Sequence, residues 1–219
     1  INNNINPAYK IGWLIPILLF PIFGGLIYLI FGRDKLGKRA KNQMMFINDK
    51  INEVFLPSEE LLDWVAQENK DAANQARYIQ KYSFCPLYLN DSSEFLSTGE
   101  MKFQKLMEAL RSAEHYIFLE YYIIEEGYMW NSILQILQEK AQAGVDVRVI
   151  YDDVGCLLKL PYGYNKQLEA MGIRCCVFNP LNPILSFKYN HRDHRKIAVI
   201  DGRIGFTGGI NLADEYINE

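Results

Sequence analysis

His194-Arg195-Lys196-Ile197-Ala198-Val199-Ile200-Asp201-Gly202-Arg203-Ile204-Gly205-Phe206 is the stretch whose reading decides the fold. Lys196 to Ile200 is apolar and β-branched, and Arg203 to Phe206 reads as a second strand. Asp201-Gly202 between them is a two-residue hairpin signal, because both residues tolerate the left-handed backbone of a tight turn. Side chains alternate faces along a strand, so His194 and Lys196 point the same way. Asp201 has the opposite parity and sits in the turn. From its own strand it is a poor partner for His194, and holding the hairpin is the better role for it.

Upstream of the hairpin, strands and helices alternate. Gly99 to Arg111 carries Met101, Phe103, Leu106, Met107 and Leu110 at helical spacing. Tyr116 to Ile124 is an apolar, aromatic and β-branched run around one acid, Glu120. Trp130 to Ala143 is an amphipathic helix closed by Gly144, and Val145 to Tyr151 is a strand leading into Asp152-Asp153. Tyr164 to Met171 reads as a helix stopped by Gly172, and Ile173 to Phe178 as the next strand. Pro86 to Leu89 is a short strand candidate. These units predict one α/β lobe over residues 84–219, a mixed, largely parallel sheet flanked by helices.

Residues 33–83 read as a basic, then helical connector, broken at Pro57 and restarted by Ser58 as an N-cap ahead of Glu59 and Glu60. Residues 11–32, IGWLIPILLFPIFGGLIYLIFG, contain no charged side chain. As one helix at ~1.5 Å per residue the run extends roughly 33 Å, enough to cross a bilayer core, so a transmembrane helix is expected there. Tyr9, Trp13 and Tyr28 suit the interfacial belts. Arg33, Lys35, Lys38, Arg39 and Lys41 follow the run and only Lys10 precedes it. The positive-inside rule then makes residues 1–10 an outer loop and places the catalytic domain on the cytoplasmic side of the cell membrane. Contact of the same cluster with anionic headgroups is an equal reading.

Hydrophobic residues make up 49% of the 219, so most of the chain should fold; the net charge of −3 is too mild to name a partner. The four cysteines, Cys85, Cys156, Cys175 and Cys176, form no CxxC pair and no ligand spacing with histidine. They read as reduced, and no metal site is expected. The chain begins at Ile1, not Met, and stops at Glu219 soon after the motif. Both ends read as cut, so a longer protein is expected.

A histidine beside a lysine suits phosphodiester chemistry. A neutral imidazole is not repelled by the anionic diester and can form a covalent phosphoryl intermediate. Lys196 supplies positive charge for the nonbridging oxygens. Gly208 and Gly209 let the backbone approach a phosphate closely, and Asn211 can donate to its oxygen. No carboxylate cluster suggests a divalent metal. Glu120 either reaches the site from a neighbouring strand or is satisfied by backbone donors. Arg195 and Lys188 raise the local positive potential or belong to a solvated face. His191, of opposite parity to His194, reads as a surface residue, His115 as structural, and Asp152 and Asp153 as turn and cap residues.

The combined pattern H-x-K-x4-D-x6-GG-x-N resembles the HKD signature of the phospholipase D superfamily. His194, Lys196 and Asp201 match its three named positions, and Gly208, Gly209 and Asn211 its downstream part. Serine is frequent in the family where Gly209 stands, so a hydroxyl donor is missing here. The family's carboxylate that orients the histidine would lie beyond Glu219. Over nearly the whole chain the resemblance is to bacterial cardiolipin synthases, through NHRDHRKIAVIDG, Glu120-Tyr-Tyr122 and NPAYKIGWLIPILLFPIFGGLIYLIFGR with its basic exit. It implies a phosphatidyltransferase that condenses two phosphatidylglycerols into cardiolipin and glycerol through a phosphohistidine, without a cofactor. It also implies a second motif, from a second lobe of the full-length chain or from a homodimer. The partners implied are anionic phospholipid and a membrane, and no nucleic acid. Two alternatives stand: a phospholipid or nucleic-acid phosphodiesterase of the same superfamily, and an inactive membrane-anchoring fragment.

Overall fold

The computed structural model of the chain describes residues 7–31, 38–54, 58–83, 85–89, 92–180 and 192–218. They fall into two compact units, Ile1–Ser93 and Glu94–Glu219.

In the first unit the apolar run is not one helix. It is divided into α1 (Pro7–Leu19) and α2 (Pro21–Phe31), which fold back on each other at Phe20. Trp13 meets Tyr28 edge-on at 5.5 Å, and Gly24 lies against the Pro16 carbonyl. Pro21 explains the break, since it has no N–H to continue α1 but is suited to open a helix. The two helices are 13 and 11 residues long. At ~1.5 Å per residue each falls short of a ~30 Å hydrocarbon core. Among the described residues no helix is long and apolar enough to cross a membrane, which corrects the single crossing helix expected over residues 11–32.

The connector forms α3 (Lys38–Val54), α4 (Glu59–Glu68) and α5 (Lys70–Ser83). Ser58 caps α4 by accepting from the Leu61 N–H at 3.2 Å. A further break, missed in the sequence, falls at Asn69, whose side chain accepts from the Asp71 and Ala72 N–H groups at 3.0 Å each. Pro86 to Leu89 is not a strand.

The second unit is the α/β layer. Its elements are α6 (Gly99–Ser112), β1 (Tyr116–Tyr121), α7 (Tyr128–Gln142), β2 (Asp146–Asp152), the short α8 (Asp153–Cys156), α9 (Tyr164–Ala170), β3 (Arg174–Phe178), β4 (Lys196–Ile200) and β5 (Ile204–Thr207). The sheet order is β3-β2-β1-β4-β5. β1, β2 and β3 are mutually parallel, and β4 and β5 join antiparallel on the other side of β1. One face carries Ile117, Leu119, Tyr121, Val147, Val149, Tyr151, Ala198 and Ile200, all buried. They share a single core with Phe103, Leu106 and Leu110 of α6 and Met129, Trp130, Ile133 and Leu137 of α7. The opposite face is more open. There Tyr116 stacks on Phe118 at 4.6 Å and the Arg148 guanidinium lies 4.8 Å from the Phe118 ring.

The β4–β5 turn shows what Asp201 does. Asp201 and Gly202 both have positive φ, 52° and 65°, inside a turn closed by Arg203 N–H on the Ile200 carbonyl at 3.0 Å. The ladder resumes at Ile200–Ile204, so β5 begins one residue later than the sequence suggested. The Asp201 carboxylate accepts from three backbone N–H groups that open β1: Glu114 (2.8 Å), His115 (2.8 Å) and Tyr116 (2.7 Å). These bonds, led by that from Glu114, hold its pKa down to about 2. A carboxyl stabilised in its charged form contributes stability above its ordinary pKa of 3.8, and that contribution disappears as pH falls through about 2. Asp201→Ala should therefore lower the melting temperature at neutral pH, with the gap from wild type closing between pH 4 and pH 2. A gap that stays constant over that range in pH-dependent thermal unfolding would contradict this role.

Candidate active site

The C-terminal ends of β1 and β2 and the N-terminal end of β4 meet at one edge of the sheet, because β1 runs parallel to β2 and antiparallel to β4. Beyond β1 lies Tyr122; β2 ends at Asp152; and His194 immediately precedes β4. The exposed His194 ring packs against the Tyr122 ring, with centroids 4.7 Å apart. Lys196 is only 3% exposed. Its ammonium donates to the His194 carbonyl at 2.7 Å and lies 5.0 Å from the Tyr122 centroid. Burial lowers the Lys196 pKa, and the charge of Asp193 opposes that shift.

Asp152 anchors the segment that leads into His194. Its carboxylate is wholly buried and caps α8 through the Val154 and Gly155 N–H groups, at 3.0 Å each. It also accepts from the Asp193 N–H at 3.0 Å and pairs with the Arg192 guanidinium at 3.3 Å. The cap read from sequence is therefore half its role. Gly155 allows α8 to lie against Tyr122: a Cβ there would stand 2.1 Å from the Tyr122 carbonyl oxygen.

Arg195 bridges two carboxylates. It meets Asp193 at 2.8 Å and Glu120 at 2.5 Å, so the sequence candidates Glu120 and Arg195 do touch each other. Burial, followed by the neighbouring Asp193 carboxyl, raises Glu120 to about 7. Against burial, Arg195 and the Glu120 carboxyl hold Asp193 below its ordinary value.

Not every sequence candidate reaches this edge. Asp201 lies at the other end of β4, some five residues or roughly 17 Å of strand from Lys196, bonded to β1. There its carboxylate is engaged by the backbone at the start of β1, away from His194. Asn211 is buried; its side-chain oxygen accepts from the Ile123 N–H at 3.0 Å, and its amide donates to the Tyr216 hydroxyl at 2.7 Å. It ties its loop to the segment that follows β1, with its amide taken up by Tyr216. Gly208 and Gly209 are exposed, and a Cβ at either would meet nothing within 4 Å, so the backbone there is open to an approaching group. His191 and Lys188 lie outside the described residues.

Sequence reasoning gave no role to Tyr122, Asp193 or Lys102. Lys102 of α6 donates to the Ile210 carbonyl at 2.9 Å, next to Gly209. Its signal was present: positions 102, 103, 106, 109 and 110 form one buried helical stripe, in which a lysine is out of place.

Comparison with known proteins matches residues 106–219 to the family described as cardiolipin synthase, phospholipase D-like domain, and residues 1–33 to the phospholipase D-nuclease N-terminal family. The chain belongs to the cardiolipin synthase family with a phospholipase D-like domain. It is 41% identical over 220 residues to an uncharacterized Streptococcus mutans protein, covering 100% of this chain and 48% of that one. It is 36% identical over 220 residues to a cardiolipin synthase of a Geobacillus species, covering 99% of this chain and 43% of that one. The chain thus spans less than half the length of these relatives. Among solved structures, it is similar to Nuc from Salmonella typhimurium, a phospholipase D family member, with 19% identity and a TM-score of 0.39 over 52% of this chain and 66% of that one.

Asp152→Ala would orphan the Asp193 N–H and leave Arg192 without this buried acceptor. Breaking such a buried pair costs about 3–5 kcal/mol. Denaturant unfolding should show a loss of that size, and a loss below about 1 kcal/mol, the level of an exposed pair, would contradict the anchoring role.

Proposed function

We propose that this chain supplies one histidine half-site of a phosphatidyltransferase that condenses two phosphatidylglycerols into cardiolipin and glycerol. The observation that supports it most is the exposed His194 ring, seated on Tyr122 with its backbone held by buried Lys196, in a member of this family. In the first step a neutral His194 nitrogen attacks the phosphorus of one phosphatidylglycerol. A P–N bond forms as the P–O bond to the terminal glycerol breaks, and the glycerol oxygen takes a proton from an acid on the second motif. In the second step the hydroxyl of another phosphatidylglycerol attacks, the P–N bond breaks, and the hydroxyl proton returns to the second motif. Lys196 has three N–H donors and uses one on the His194 carbonyl, which leaves positive charge for the nonbridging oxygens. The open Gly208-Gly209 backbone leaves room for the phosphate.

A lipid substrate accords with the first unit. Ile11, Ile15, Leu18, Leu19, Phe20, Ile22, Phe23, Leu26 and Leu29 of the α1–α2 pair are exposed, an apolar surface that water does not favour. We place this helix pair in a membrane, and the basic cluster that follows it in the sequence would be attracted to anionic headgroups.

The test uses the full-length protein on vesicles containing phosphatidylglycerol, with lipid products and glycerol both followed. Cardiolipin and glycerol should appear together, and His194→Ala should slow both by at least about a thousandfold. Phosphatidic acid in place of cardiolipin would make the protein a hydrolase. Near-full activity in His194→Ala would refute the assignment of the site.

A further inference from the structure

Lys102 is 4% exposed on the core-facing stripe of α6, beside Leu106, Ala109 and Leu110. A buried lysine costs stability unless something uses its charge. Its ammonium donates to the Ile210 carbonyl at 2.9 Å and lies 5.2 Å from the Tyr121 ring centroid. Burial, and after it the charge of Lys196, lowers its pKa to about 8. Among the described residues neither Lys102 nor Lys196 has a carboxylate at ion-pairing distance. The Tyr121 hydroxyl is also buried and has no hydrogen-bond partner among them. Lys102, pressed by the charge of Lys196 and with no ion pair of its own among the described residues, and Lys196, offset only through Asp193, form a site that an oxyanion would relieve.

Building on the phosphodiester reading above, we propose that Lys102 is the second cation of the phosphate site, set behind Lys196. It acts as a positioning residue. Through Ile210 it fixes the open backbone at Gly208-Gly209, and through its charge it strengthens the field that holds the phosphate, without touching substrate. The groups that face it are Lys196 from β4, the Tyr121 ring from β1 and the Ile210 carbonyl.

The test measures binding of inorganic sulfate, a dianion across the whole pH range used, to the full-length protein by calorimetry. Wild-type affinity should fall as pH rises from 7 to 9.5, the range in which Lys102 loses its proton. Lys102→Met should weaken binding at pH 7 by at least about tenfold, the loss expected when a buried positive charge behind the anion is removed. Lys102→Arg should hold affinity at pH 7 within about threefold and move the fall to higher pH, because a guanidinium stays charged. That displaced pH profile is a signature that loop packing alone would not produce, and it serves even if Lys102→Met fails to fold. Unchanged sulfate binding in Lys102→Met, an unmoved pH profile in Lys102→Arg, or no sulfate binding to the wild type would each overturn the proposal. Sulfate binding that depends on Lys102 in a protein that makes no cardiolipin would keep this site and reject the lipid reaction.

Discussion

β1 is shared between two kinds of ladder, and the site depends on that constraint. Parallel pairing to β2 brings the ends of both strands to one edge, while antiparallel pairing brings the start of β4 to the same edge. Had β4 joined β1 in parallel, His194 would lie at the opposite edge, beside His115. The junction places Tyr122, Asp152 and His194 together although they come from three separate strands. It follows the general rule for open α/β sheets, in which ligand sites form beyond the carboxyl ends of the strands where the winding changes direction.

Buried charge gives this edge its shape. Asp152 fixes the chain on entry to His194, Lys196 fixes the His194 carbonyl, and Lys102 fixes the following loop at Ile210. Each is a charged group removed from water, and each makes at least one hydrogen bond to backbone that borders His194 or Gly208-Gly209. Core residues of α6 and α7 hold the sheet from one face, so the edge rests on packed helices and not on loops alone. The imidazole remains exposed on this frame, as the role proposed for it requires.

Where a signal was local, the sequence could be read. Helical spacing marked α6 and α7, apolar β-branched and aromatic runs marked β1, β2 and β4, and Asp201-Gly202 marked the turn, all set by neighbours a few residues apart. Asp201 lies at the far end of β4 from His194, a separation along the strand that parity alone does not measure. Contacts that close over long separations left no such mark: Asp152 meets Asp193 41 residues away and Lys102 meets Ile210 108 residues away. Asn211 was read as a donor to phosphate because its type allows it; its occupation by Ile123 and Tyr216 is a tertiary fact. Hydropathy measured the length of the apolar run but was blind to the fold-back at Phe20, just before Pro21.

The account turns on His194 carrying the phosphatidyl group. Full-length protein mixed with phosphatidylglycerol, quenched within one turnover and digested for mass spectrometry, tests this most directly. The account predicts a phosphatidyl adduct on the peptide containing His194, labile to acid as a P–N bond is, and lost when unlabelled acceptor is added. Turnover to cardiolipin with the adduct only on another residue, or with none on His194, would contradict it.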